Sequence, residues 1–133
     1  MRVMIDTNIL VSAALFRNGS VSAILKEIMS RHDLCVCMFS LEELFIVFER
    51  KFRNKRGDLD EFLRELSFDL VYSPLKIDKT RIPPVRDEKD YPILASAMDA
   101  DIDVLVSGDK DFSCVDCERP EILTPSRFKE LYL

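Results

Sequence analysis

Residues 1–16 read MRVMIDTNILVSAALF, and this stretch decides the architecture. Arg2 to Ile5 is an apolar run of strand length. Asp6-Thr7-Asn8 then offers side-chain oxygens suited to a turn or a helix cap, and Ile9 to Phe16 continues apolar. The reading is a strand that passes at once into a helix, with an acid at the joint. Asp6 and Asn8 also interrupt the apolar run before it reaches the ~20 residues of a membrane span, and they spoil the pattern of a signal segment. A cytoplasmic chain with no membrane partner is therefore expected.

Working outward, the break at Arg17-Asn18-Gly19 is followed by Val21, Ile24, Leu25 and Ile28 at helical spacing, ending in Arg31-His32, where positive charge suits a helix C-terminus. Leu34 to Phe39 has the length and composition of a buried strand. Ser40-Leu41-Glu42-Glu43 then carries a capping-box pattern for a helix that turns Leu44, Val47 and Phe48 inward. That helix leaves through Arg50, Lys51, Arg53, Lys55 and Arg56 to Gly57, and Leu59, Phe62, Leu63 and Leu66 mark another amphipathic helix. Leu70 to Tyr72 reads as a third strand. Ser73 to Lys89, broken by Pro74, Pro83 and Pro84, reads as a surface connection.

Ile93, Leu94, Ala97 and Met98 share a helical face, with Pro92 tolerated in the first turn, and Asp103 to Val106 is a fourth strand. A sharp turn at Ser107 to Asp111 precedes a weak strand at Glu121 to Leu123. Thr124-Pro125-Ser126 opens a last helix. This alternation predicts an α/β fold in a single domain spanning residues 1–133: three layers, α/β/α, around a central parallel sheet of four or five strands joined by right-handed crossovers.

Composition bounds the possibilities. The 133 residues suffice for one ordinary domain, and 47% hydrophobic with 32% charged residues excludes a disordered or collagen-like chain. The net charge of −5 argues at first against a nucleic-acid partner, but if four of the acids hold a cation the remaining charges nearly balance. Cys35, Cys37, Cys114 and Cys117 form a C-x-C and a distant C-x-x-C, which is not the paired-knuckle spacing of a zinc site. Reduced structural thiols are expected, Cys35 and Cys37 on one strand face in the core and Cys114 and Cys117 in a loop.

Parallel sheets place their sites at the carboxyl ends of strands. Asp6 follows the first strand, Glu43 lies one helical turn beyond the second, Asp90 begins the helix before the fourth, and Asp109 and Asp111 follow the fourth. Singly, each acid has an ordinary alternative: a cap at Asp6 or Thr7, the reciprocal partner of Ser40 at Glu43, an N-cap at Asp90, an Asx turn at Asp109. Together at one sheet edge they repel one another unless a divalent cation neutralises them. Oxygen-only ligands select hard ions, so Mg²⁺ or Mn²⁺ is expected.

MIDTNILVSA, SLEELFIVFERKF, DEKDYPILASAMDADIDVLVSGDKDF and EILTPSRFKEL, taken in order over essentially the whole chain, resemble the PIN-domain family, in particular the VapC-like branch of toxin components of toxin–antitoxin pairs. The resemblance implies that Asp6, Glu43, Asp90 and Asp109 are the catalytic, metal-binding acids, with Asp111 an additional ligand candidate. It also implies that Thr7 or Asn8 orients the first acid and that Ser107 stands where the family more often has Thr. Glu42 and Asp87 are near misses beside Glu43 and Asp90. The implied activity is hydrolysis of RNA to a 5′-phosphate, with a divalent ion assisting in-line attack of water. The implied partners are the RNA substrate, a small antitoxin protein and a second copy in a homodimer.

Arg17, Arg50, Lys51 and Arg53, with Lys55 and Arg56, are candidates for gripping RNA phosphates, against the alternative of a solvated basic face at a helix C-terminus. His32, the only histidine, reads as a charge at a helix end. Haloacid-dehalogenase-like phosphatases and response-regulator receivers fit less well, since Asn8 stands where the former have a second Asp and Ser73-Pro74 offers no acceptor Asp for the latter. A PIN-like binding module with weak or no catalysis is the non-enzymatic alternative.

Overall fold

The computed structural model describes residues 1–74, 76–84, 88–108, 112 and 118–133. Among these residues, five strands form one parallel sheet: β1 (Arg2–Ile5), β2 (Asp33–Cys37), β3 (Asp69–Val71), β4 (Val104–Val106) and β5 (Glu121–Leu123), in the order β3-β2-β1-β4-β5. The register pairs Met4 of β1 with Cys35 of β2 on one side and with Leu105 of β4 on the other. Among the described residues, six α-helices flank the sheet: α1 (Thr7–Leu15), α2 (Ser20–Arg31), α3 (Met38–Lys51), α4 (Arg56–Glu65), α5 (Tyr91–Asp99) and α6 (Pro125–Tyr132). Among the described residues, no single helix is long and apolar enough to cross a membrane.

The period of two along the strands divides the core into two layers. Val3 and Ile5, Leu34 and Val36, and Val104 and Val106 join Leu10, Ile28, Leu44, Phe62 and Phe128 on the face covered by α1 to α4 and α6. Met4, Cys35, Cys37 and Leu105 face the other way, toward Ile93, Leu94 and Ala97 of α5 and toward Phe112. Right-handed crossovers account for this division. From β1 through β2 to β3 the chain moves in one direction across the sheet, so its connecting helices share a face. The passage from β3 back to β4 reverses direction and puts α5 on the opposite face.

Two local expectations are corrected. β2 stops at Cys37, the last residue paired with β3, and α3 begins at Met38, two residues before the capping-box serine. Ser40 therefore lies inside the helix and is fully buried, accepting a hydrogen bond from the Cys37 thiol at 3.2 Å, while no side chain caps α3. Gly57 does not separate α3 from α4: a short 3-10 turn at Arg53–Lys55 does so, and Gly57 sits in the first turn of α4.

Candidate active site

In a parallel sheet, each helix that follows a strand starts at the carboxyl edge. That topology brings the N-termini of α1, α3 and α5 to one edge, and the reversal of strand order between β1 and β4 opens a crevice there. Asp6 stands at the crevice. Its amide donates to Val106 O at 3.2 Å, extending the β1–β4 ladder by one residue, and its side chain then turns into the protein, leaving the residue 3% exposed.

Burying a carboxylate is costly unless its oxygens are hydrogen-bonded. Oδ1 of Asp6 accepts from the Ile9 amide at 3.1 Å, which caps α1, and Oδ2 accepts a short hydrogen bond from the hydroxyl of Ser107, the residue after β4. Asp6 is therefore a cap and a residue bound across the crevice at once. Ser107 is itself buried and fixed by its amide, which donates to Leu123 O of β5 at 2.9 Å.

Glu43, in the second turn of α3, is half-buried, whereas its neighbour Glu42 is exposed. Its Oε1 accepts from the Thr7 hydroxyl at 3.0 Å. The expected pairing with Ser40 is thus replaced by a contact to α1, and the hydroxyl expected to orient Asp6 goes to Glu43. Asn8 is exposed. Asp90 occupies the N-cap position of α5 and is 6% exposed, yet its side chain makes no capping hydrogen bond. The start of α5 is anchored at the same edge, because the Ser96 hydroxyl donates to Pro92 O at 2.6 Å and its oxygen lies 3.1 Å from the Ser73 hydroxyl, just beyond β3, which can donate to it.

Asp109, Asp111, Asp87, Cys114 and Cys117 lie outside the described residues. Among the described residues, no three acidic, histidine or cysteine side chains stand close enough together to hold a metal ion. The acids described at this edge, Asp6, Glu43 and Asp90, offer carboxylate oxygens, the donor type that suits hard divalent cations.

The basic candidates fall elsewhere. Arg17 pairs with Glu61 at 3.6 Å and closely with Glu65, tying the end of α1 to α4. Arg50, Arg53 and Arg56 line an apolar groove of ≈ 440 Å³ between α3 and α4, with Phe45, Ile46 and Leu59, and Arg53 also pairs with Glu49 at 3.8 Å. Lys51 is exposed at the end of α3. His32 packs edge-on against Phe128 at the end of α2.

Residues 2–111 match the family profile described as PIN domain. Among solved structures, the chain is similar to that of VapBC2 from Rickettsia felis bound to a DNA fragment from their promoter. The TM-score is 0.68 at 19% sequence identity, covering 92% of this chain and 97% of that one. No curated protein sequence matches the chain.

Proposed function

Because the chain belongs to the PIN-domain family, a match covering most of its length, we propose that it is a metal-dependent endoribonuclease, the toxin of a toxin–antitoxin pair. The observation that carries this reading is Asp6: a buried carboxylate held at the strand-order reversal by Ile9 on one oxygen and Ser107 on the other. A cap alone needs only the first of these bonds. The second comes from a residue 101 positions away and orients an acid at the place where parallel sheets bind their ligands.

In this reading Asp6, Glu43, Asp90 and Asp109 would hold Mg²⁺ or Mn²⁺, with Asp111 an additional ligand. A bound ion would supply Lewis acidity and neutralise charge developing on the phosphate. The protein's part is positioning. Ser107 keeps Asp6 oriented, and burial of Asp6 and Asp90 keeps bulk water from competing for them. RNA as substrate, a small antitoxin as partner, a homodimer and a cytoplasmic location belong to the same reading. The likeness to VapBC2 of Rickettsia felis, a toxin–antitoxin complex, supports the antitoxin. A PIN-like binding module with weak or no catalysis is the alternative reading.

The test is Asp6→Asn. Asparagine retains an oxygen for the Ile9 amide and can donate to Ser107, so the fold should hold. RNA cleavage in Mn²⁺ should fall by about a hundredfold or more, since metal positioning and electrostatic stabilisation carry much of the barrier reduction. The thermal shift induced by Mn²⁺ should shrink with it. Wild-type rates with the full metal-induced shift would remove Asp6 from the site, and full wild-type activity in a chelator would remove the metal.

A further inference from the structure

Thr7 is the first residue of α1 and is buried at 8% exposure, although threonine is a poor helix former and the cap of this helix is already made by Asp6. Its hydroxyl reaches out of α1 to Glu43 Oε1, 36 residues away on α3, and the two helices pack directly against each other. We infer that Thr7 is a positioning residue that fixes the Glu43 carboxylate relative to Asp6 for binding a divalent cation, an inference that rests on the metal-site reading above.

The physical reason is preorganisation. A glutamate side chain has three rotatable bonds and loses much of its rotamer freedom on being fixed. The Thr7 hydroxyl restrains one carboxylate oxygen before any ion arrives. Because Thr7 adjoins Asp6 in the chain, the restraint is referred to the other acid directly. A branched Cβ holds the hydroxyl more stiffly than serine would. Groups that hydrogen-bond to metal-ligating side chains typically contribute ~10–100-fold to metal affinity.

The experiment is calorimetric titration of Mn²⁺ into the full chain as wild type, Thr7→Val, Thr7→Ser, Glu43→Gln and the Thr7→Val/Glu43→Gln double variant, with thermal midpoints measured without metal. Thr7→Val keeps the shape and removes the donor, and it should weaken Mn²⁺ binding about tenfold or more. Thr7→Ser, which restores the donor, should recover most of that loss. In the Glu43→Gln background the valine should cost little further, because the two residues act as one unit. Wild-type affinity in Thr7→Val, or an equal loss in both backgrounds, would overturn the inference while leaving the metal site standing. No binding by wild type at millimolar Mn²⁺ would overturn the metal reading, and this inference with it. Should Thr7→Val not fold, Thr7→Ala carries the same comparison.

Discussion

Cys37 ends β2 with its thiol turned into the layer beneath α5, and Cys35, two residues earlier on the same face, donates to Asp33 O at 3.6 Å. Burial pushes both thiols above the ordinary cysteine range, so both stay protonated at neutral pH, where only the thiolate is an effective nucleophile. Alkylation of native protein, followed by peptide mapping, should leave Cys35 and Cys37 unmodified until the chain is unfolded. Rapid labelling of either would contradict their placement. The acids were only partly legible at this scale. Asp6 announces itself by standing after an apolar strand, but nothing local separates Glu42 from Glu43. Their distinction arises because α3 starts at Met38 and turns Glu43 toward α1, leaving Glu42 in solvent.

Among the described residues, α5 ends on a backbone conformation that is costly for the residue that adopts it. At the end of α5 the Asp101 amide donates to Met98 O and the Ile102 amide to Ala97 O, the paired bonds that close a helix through a left-handed residue. That residue is Asp101, at φ 53°, where an L side chain crowds the backbone and glycine does not. Asp101→Gly should therefore stabilise the protein by about 0.5–1 kcal/mol, after allowing for the greater freedom glycine has when unfolded. The Arg119 contact to the Asp101 carbonyl survives the change. Differential scanning calorimetry should show a midpoint roughly 2–5 °C higher. A lower midpoint would mean that the Asp101 side chain contributes more than its backbone costs. The prolines are consistent with the same local logic, Pro92 and Pro125 lying in first turns where no amide is required.

At the scale of the whole molecule, the amino edge of the sheet is pinned by one acid as the carboxyl edge is organised by another. Asp103 Oδ2 accepts from the Arg2 amide at 2.8 Å and Oδ1 from Arg119 at 3.1 Å, so a single side chain joins the entries to β1, β4 and β5. The Arg2 hydrogen bond, with the Arg119 charge, holds the Asp103 carboxyl below the usual range. Its contribution to stability is present above the unfolded value of about 3.9 and is lost as pH falls through the lower, folded one. Asp103→Asn should lessen the loss of thermal stability across that acid window and leave the proposed Mn²⁺ binding at the far edge unchanged. An unaltered acid limb would show that the contact contributes nothing. The half-exposed position makes the effect small and sensitive to salt. What the sequence determined by itself was the alternation of strands and helices and the placing of Asp6 at the carboxyl end of β1, because periods of two and 3.6 and the rule for parallel strand ends are properties of short segments read in order. Only the tertiary structure decided that Ser107 holds Asp6 and that Thr7 holds Glu43, since these bonds cross 101 and 36 residues. Such partners are chosen by the order of strands and the packing of α1 on α3, and a hydroxyl carries no mark in sequence of which distant carboxylate it will meet.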